Sequence, residues 1–589
     1  MNIVLFLLSF IARTCLGGDR NFYWYDKTQT LENRQTMVHL FEWKWADIAA
    51  ECENFLQYYG YGAVQISPPN EHIVFAQDND VPWWVRYQPV SYKLESRSGN
   101  EAEFKDMVDR CNKVGVRIIV DVVMNHMVGF SQKFGVNGRN SSGGTSFDGT
   151  DGVEYFPGVP YTSDHFNDFR CHGNIQDRDY QVNAERVRNC RLSGLLDLNQ
   201  GHPVVRQNLA AYLNKLIDIG VAGFRCDASK HMWPGDLESI LKMTKNLRSD
   251  IFGPNQRPFV VHEVIDRGGE SVKCTDYDHI GRYTNFNFGA AVSSAAKGES
   301  DWKLLSRLGP GYDHCDGKDN DVLNFIDNHD NQRDTNPYVV TYKNPDQYKL
   351  AVSFMLAWPY GYQRVMSSYN FTHHIQGPPN LGAGRGYATT SPSFNSHDQT
   401  CDPSSGWVCE HRWPTIREMV KFRSAVQGTA AAKIFTGNQR IAFARLRKGF
   451  FALNGKNGVW RKIFSTTMPP GNYCDQFAGS LVNGRCTGDT ITVNSDGSAN
   501  LQIKSGQAVA FSISSRLGSA NFSIKNPHSG YQKTVIFIRK DTNLGQYLFI
   551  RGGSCHANRK AYPKGSYQYS GDKCAIPIIH KHYCTICLR

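Results

Sequence analysis

From about residue 35 to residue 430 the chain alternates two hydrophobic rhythms. Short apolar runs read as buried strands: GAVQIS (62–67), GVRIIVDVV (115–123), GVAGFRCD (220–227), RPFVVHEV (257–264) and DVLNFIDNHD (321–330). Between them, AEFKDMVDRCNKVG (102–115) and HPVVRQNLAAYLNKLIDIG (202–220) repeat apolar residues with a period near 3.6 and read as amphipathic helices. Alternating β and α over this length predicts a parallel sheet, either doubly wound or closed into a barrel. No GxGxxG follows an early strand and no GxxxxGK(S/T) occurs, so the usual nucleotide-fold signatures are absent.

The rhythm breaks between about 127 and 195, where Gly, Asn, Asp and Ser dominate; a stretch of that length reads as a functional loop or a small inserted domain. After about 430 the period changes to two. QRIAFARL (439–446), GFFALN (449–454), DTITVNS (489–495) and QAVAFSIS (507–514) predict a separate antiparallel β domain. Residues 516–531 read as a polar linker, followed by β-like runs at 534–540 and 546–552 and a tail without clear pattern. The first eighteen residues, with an apolar core from Ile3 to Ile11 followed by small residues, read as a secretory signal too short to span a bilayer.

Composition narrows the function classes. The 589 residues are 40% hydrophobic and 20% charged, which argues against a disordered chain. The net charge of +11 is not gathered into Lys/Arg runs, so neither nucleic-acid binding nor a membrane is expected, and nothing in the sequence suggests more than a monomer. Sixteen cysteines exceed what a cytosolic enzyme usually needs, and secretion makes disulfides plausible. It also draws attention to three glycosylation sequons, at Asn140, Asn370 and Asn521.

Four strand-like runs end in polar clusters: Asp121 to Asn125-His126, Arg225-Cys226-Asp227 to Lys230-His231, His262-Glu263 to Asp266, and Asp327-Asn328-His329-Asp330. In a β/α barrel the carboxyl ends of the strands form the catalytic face. A single aspartate there is more often a helix cap or ion-pair partner. Four clustered ends favour chemistry, and paired carboxylates with histidines suit glycosidic cleavage, although spacing alone does not separate this from a metal-dependent hydrolase. Trp83, Trp84, Arg86 and Tyr87 cannot all face one core from an extended segment, so sugar stacking competes with core packing there.

These four segments, in this order, resemble the signature regions of the α-amylase family of glycoside hydrolases. GFRCDASKHMWPGD (223–236) with FIDNHDNQR (325–333) is similar to the animal type, as are HLFEWKWADIAAECE (39–53), VQISPPNEH (64–72), PWWVRYQPVSYKL (82–94) and WVCEHRWPTIREMV (407–420). The resemblance spans roughly residues 20–515. It implies an α/β fold: a (β/α)8 TIM barrel at 19–126 and 196–429, an inserted domain B at 127–195 and a β-sandwich domain C at 430–515; a small β-like C-terminal extension at 532–589 lies outside that common plan. It implies secretion and endo-acting hydrolysis of starch, glycogen and maltooligosaccharides. Asp227 would be the nucleophile, Glu263 the general acid/base and Asp330 the stabilising carboxylate, with Arg225 keeping Asp227 ionised. Trp83, Trp84, Tyr87, His126, Arg225, Lys230, His231 and His329 would line the substrate cleft. An exo-acting glucosidase or transglycosylase on the same barrel, or a silent carbohydrate-binding protein, are the alternatives; the Lys230-His231 pair argues against the first and the three carboxylates against the second.

The resemblance also implies calcium held by Asn125, Asn189, Asp197 and the carbonyls of Arg188 and His231, a set of oxygens suited to that ion. Asn189 departs from the Asp of many vertebrate relatives. Chloride would sit at Arg225, Asn328 and Arg364, offsetting cationic charge near Glu263. A second departure follows Asn331-Gln332-Arg333, where Asp334-Thr335-Asn336-Pro337 replaces a glycine-rich mobile loop. Four disulfides are implied, Cys52–Cys111, Cys171–Cys190, Cys401–Cys409 and Cys474–Cys486, with Cys274 and Cys315 a further candidate pair and Cys226 a small buried hydrophobe. Residues 532–553 resemble an extra module of some invertebrate α-amylases, for which starch binding or a spacer role are both open. His580 to Cys587 has metal-like spacing but reads rather as a disulfide region or tail.

Overall fold

The computed structural model describes residues 25–334 and 337–518, and the backbone of 548–551 and 575–578. Eight parallel strands close a barrel in sequential order: β1 (Thr36–Leu40), β2 (Tyr61–Ile66), β3 (Arg117–Val122), β4 (Gly223–Cys226), β5 (Phe259–His262), β6 (Arg282–Asn285), β7 (Val322–Asn324) and β8 (Tyr362–Ser367). The apolar runs read from the sequence supply β2, β3, β4, β5 and β7. The connecting helices follow their local signals. Helix α1 (Glu101–Lys113) opens with a capping box, in which the Asn100 side chain accepts from Glu103 N at 3.0 Å while Glu103 accepts from Asn100 N at 2.9 Å. Its Phe104, Met107, Val108 and Cys111 make one buried face. Helix α2 (Pro203–Ile219) starts on Pro203 and stops at Gly220, whose φ of 114° is left-handed.

Alternation along the strands layers the barrel interior. Met37, Ala63, Ile119, Phe259, Leu323 and Tyr362 belong to one apolar cluster. Two residues further along the same strand faces, His39, Gln65, Asp121 and Arg364 follow Met37, Ala63, Ile119 and Tyr362, and Arg225 follows Gly223, all buried, while Val261 and Phe325 stay in the apolar cluster. A largely polar layer therefore lies between the apolar plug and the mouth. Gly223 permits the closure of β4 on β5: a Cβ there would lie 2.0 Å from the Phe259 carbonyl oxygen.

The stretch at 127–195 folds around an antiparallel pair, His126–Gly129 with Leu195–Asp197, that springs from β3. The Glu71 carboxylate fastens its outer loop by accepting from Gly143 N (3.1 Å) and Thr145 N (2.9 Å). Two short helices, Asp179–Val182 and Ala184–Asn189, lie within this aperiodic stretch. Beyond the barrel, strands Ala432–Gly437, Arg440–Arg445, Gly449–Asn454 and Gln507–Ser512 form an antiparallel sheet. It shares a core with the pair Trp460–Ser465 and Ser498–Ile503. Among the described residues there are five disulfides: Cys52–Cys111, Cys171–Cys190, Cys274–Cys315, Cys401–Cys409 and Cys474–Cys486. Cys226 is buried and free.

The chain divides into two units, residues 1–524 and 525–589. In the second, Leu548–Arg551 pairs antiparallel with Ala575–Ile578. The signal segment, the Asn521 sequon, most of the linker, the run at 534–540, the His580 to Cys587 cluster, and Cys555, Cys574, Cys584 and Cys587 lie outside the described residues. Among the described residues no helix is long and apolar enough to cross a membrane.

Candidate active site

The ends of β3, β4 and β5 converge on Arg225. Its Nη1 donates to Asp121 at 2.6 Å and to Asp227 at 2.9 Å, and its Nη2 lies 2.5 Å from a Glu263 oxygen. Tyr87 donates its hydroxyl to the other oxygen of Asp121 at 2.9 Å. Glu263 also accepts from Ala228 N at 2.9 Å. Ala228, directly after Asp227, holds φ 49°, a left-handed geometry that costs a non-glycine residue about 1 kcal/mol or more and turns this N–H toward Glu263. Asp330 joins from the loop after β7, where Asn328 Oδ1 accepts from the backbone N–H of Asp330 (3.2 Å) and Asn331 (2.8 Å).

The electrostatics differ from the sequence expectation at Asp227. Burial, then the charge of Glu263, drive its pKa well above the carboxylate range, and Arg225 only partly opposes them. Burial and Glu263 likewise raise Asp330, to about 7. Several carboxylates crowded into a desolvated mouth cannot all ionise, so the cluster retains a proton near neutral pH.

An open cleft of about 630 Å³ lies over these groups. Trp83, Trp84, Tyr87, His126, Lys230, His231 and His329 line it together with Asp227, Glu263 and Asp330. Two details depart from expectation. Trp83–Tyr87 is a 3-10 helix rather than an extended segment, which turns Arg86 inward to Glu42 (3.2 Å) and leaves the aromatic rings at the cleft. His126 faces the cleft, but its Nε2 lies 2.7 Å from the Tyr87 carbonyl and its Nδ1 3.2 Å from the Asn125 amide, so both ring nitrogens are engaged inside the protein. Burial lowers its pKa to about 4, so it is neutral. His329 stacks on Tyr87 with centroids 5.3 Å apart.

Sequence reasoning missed Tyr180, Leu192, Leu195, Ile265 and Glu270, which also line the cleft. Glu270 hydrogen-bonds Lys230, whose Nζ also donates to the Ile265 carbonyl at 2.6 Å and lies 4.8 Å over the Tyr180 ring. These residues come from aperiodic segments, and only the paired glycines before Glu270 hint at a special turn. Beyond Asp330, Asn331 and Tyr338 are also held. Arg267 sits 3.7 Å over the Tyr338 ring, and Tyr338 accepts from Asn331 Nδ2 at 3.1 Å. Thr335 and Asn336 are outside the described residues.

The residues expected to hold ions can be tested on their own hydrogen bonding. Asn125 Oδ1 and Asp197 Oδ1 are buried and have no hydrogen-bond partner. Burial raises the pKa of Asp197 well above the usual range, a cost that a cation there would remove. His231 Nδ1, 3.0 Å from the Val187 carbonyl, ties the His231 turn to the helix carrying Arg188 and Asn189. These oxygens fit a calcium ion. The Asn189 amide oxygen, however, accepts from Trp233 Nε1 (3.0 Å) and Arg170 (3.4 Å). At the second site Arg364 donates from Nη1 to Gln65 at 2.7 Å while its buried Nε lacks a partner. Burial, and then Arg225, lower the pKa of Arg364 to about 10. A buried pair of mutually repelling guanidiniums with an unused donor fits a small anion.

Comparison with known proteins agrees with this architecture. Residues 54–362 match the family model for the α-amylase catalytic domain, and residues 435–514 that for the α-amylase C-terminal all-beta domain. The chain is 48% identical to an α-amylase of Tribolium castaneum, over 80% of this chain and 92% of that one. It is 45% identical to the pancreatic α-amylase of Rattus norvegicus, over 82% and 94%. The crystal structure of α-amylase I from Eisenia fetida superposes with a TM-score of 0.76 at 38% identity, covering 84% of this chain and all of that one. A variant of the Eisenia enzyme has been solved with maltohexaose. The convergent carboxylates at the mouth of an eight-stranded barrel, the all-β domain behind it and these likenesses together place the chain in the α-amylase family of glycoside hydrolases.

Proposed function

We propose that the chain is a secreted, monomeric, endo-acting α-amylase that cleaves internal α-1,4-glucosidic bonds of starch, glycogen and maltooligosaccharides with retention at the anomeric carbon. The observation that carries this reading is the single guanidinium of Arg225, which contacts both Asp227 and Glu263. A shared fork favours the short carboxyl separation of a retaining pair, about 5 Å, over the wider gap that an inverting pair needs for water. Asp227 attacks the anomeric carbon while Glu263 protonates the leaving oxygen. Glu263 then takes a proton from the water that releases the sugar. Asp330, on its own loop, stabilises the charge developing on the ring. Retention needs Asp227 ionised and Glu263 protonated, so in the productive complex the cluster's proton resides on Glu263 while Arg225 favours the Asp227 anion. Trp83, Trp84 and Tyr87 stack on glucose rings; Lys230, His231 and Glu270 border the leaving-group side.

A calcium ion held by Asn125, Asp197, the carbonyls of Arg188 and His231, and Asn189 after its amide turns from Trp233, would pin the inserted segment to the barrel. Chloride held by Arg225, Arg364 and Asn328 would offset cationic charge beside Glu263 and so preserve it as a proton donor. The open cleft favours internal attack on a long chain, and the five disulfides fit an oxidising, extracellular setting. The test compares the protein with its Asp227→Asn variant on soluble starch. Iodine staining should collapse before reducing ends accumulate, and the variant should do neither. Slow glucose release with staining retained would instead indicate an exo-acting enzyme.

A further inference from the structure

The cleft explains the aromatic pair Trp83–Trp84, but the sequons remain without a role. Asn140-Ser141-Ser142 and Asn370-Phe371-Thr372 lie far apart in sequence, yet both come to the same end of the cleft. Asn140 pairs with Val74 in a two-stranded ladder. The next residue, Phe75, packs against Trp84 with ring centroids 5.5 Å apart, and Arg139 covers Phe75 at 4.8 Å. On the other side Asn370 precedes Phe371, whose ring lies 4.3 Å from the Arg333 guanidinium; that guanidinium lies 5.2 Å from the Trp83 ring. Trp83 Nε1 donates to the His374 carbonyl, in the same loop, at 2.9 Å. Both asparagines are exposed. Asn140 makes no side-chain hydrogen bond among the described residues, and Asn370 only accepts, from Tyr342 at 3.5 Å. In each the amide nitrogen is free to carry a substituent without breaking a native contact.

The geometry points to Asn140 and Asn370 as two N-glycosylation sites that frame the Trp83–Trp84 end of the cleft and restrict it to single, dispersed glucan chains. The inference rests on the secretion proposed above, because the modification requires passage through the secretory lumen. There the Asn Nδ2 attacks C1 of an oligosaccharide linked to a polyprenyl pyrophosphate. The Nδ2–C1 bond forms, the C1–O bond to the pyrophosphate breaks, the pyrophosphate leaves with the electron pair, and the amide gives up one proton. Each sequon supplies the required hydroxyl, Ser142 or Thr372. In the folded protein these hydroxyls donate to the Glu95 carbonyl (2.6 Å) and to Gln376 Oε1 (3.1 Å), so they also hold the two loops in shape. A branched, hydrated glycan on each rim leaves room for one extended chain to reach the tryptophans. It obstructs a packed surface such as a starch granule.

The experiment uses the full chain secreted from eukaryotic cells. Peptide mapping after enzymatic glycan release in heavy-oxygen water reads each site directly, because a released site becomes labelled aspartate. Both Asn140 and Asn370 should be labelled. The native protein, the same protein after glycan release under native conditions, and the double variant Asn140→Gln with Asn370→Gln are then compared on a short maltooligosaccharide and on raw granules. The expected result is unchanged kcat/KM on the short substrate and a several-fold faster rate on granules once the glycans are gone. Glycan release on folded protein keeps the test valid if the variant folds poorly. Unlabelled Asn140 or Asn370 overturns the assignment, and an unchanged ratio of granule to oligosaccharide rates overturns the framing role. Loss of activity in every form would refute the enzyme reading, while the peptide map would still decide the glycans.

Discussion

Replacing Arg225 by glutamine removes the one cation that holds Asp121, Asp227 and Glu263 together. All four side chains are buried or nearly so. Deleting one partner from a buried ion network costs about 3–5 kcal/mol, because the remaining charges lose their compensation. At about 2 °C per kcal/mol for a domain of this size, the melting temperature should fall by roughly 5–10 °C. The effect on catalysis has a definite sign. Arg225 is the group that opposes the upward push of burial and of Glu263 on Asp227. Without it the nucleophile's pKa climbs further, and less of it is ionised at neutral pH. A unit charge near 4 Å at an effective dielectric of about 20 is worth about 4 kcal/mol, so the acid limb of kcat/KM should move up by about one to three pH units. Arg225→Lys keeps the charge but not the fork and should recover part of the shift. The assay is the pH dependence of kcat/KM on a short maltooligosaccharide, with calorimetry on the same samples. An Arg225→Gln protein with the parent's acid limb and melting temperature would refute this electrostatic reasoning.

Four further outcomes follow from the structure. Calcium chelation should lower the melting temperature, and Asn189→Asp, which adds a carboxylate to the oxygen set, should tighten calcium binding by about tenfold, or 1.4 kcal/mol, in a calorimetric titration. Asp475, buried in the C-terminal β domain, has its pKa raised to about 7 by burial. A raised carboxyl favours the folded state most below the unfolded value of 3.8 and loses that contribution as pH rises through about 7. Asp475→Asn should therefore flatten the fall in stability between these pH values, by an amount on the order of 4 kcal/mol at most, in denaturant titrations at several pH values. Tyr338→Phe removes the hydrogen bond to Asn331 but keeps the ring under Arg267; kcat should fall by about 2–10-fold with KM nearly constant, and Tyr338→Ala should fall further.

How much of this was legible in the sequence depended on periodicity. The strands carrying Asp121, Asp227 and Glu263 are apolar runs that stop at charged residues, so strand and site were visible together. Helix α1 was readable from its period, with Asn100 and Glu103 spaced as a capping box. The inserted segment has no such regularity, and Tyr180 and Leu192 reach the cleft only through tertiary packing. The 3-10 turn at Trp83–Tyr87 was hidden for another reason: five residues are too few to set a period, and the buried Arg86–Glu42 ion pair that fixes it joins positions 44 apart. The direction of the Asp227 shift could not be read either. Sequence shows Arg225 two positions away, but not that Glu263 and burial outweigh it.

The central claim is that Asp227 attacks the anomeric carbon while Glu263 acts as acid and base. The most direct measurement incubates the Glu263→Gln variant with an activated α-glucosyl fluoride, whose leaving group needs no acid, and maps the protein by mass spectrometry. The account predicts a glycosyl adduct on the peptide carrying Asp227, formed quickly and hydrolysed slowly because the base is missing. An adduct on another residue, or turnover to the β-anomer with no adduct, would contradict it.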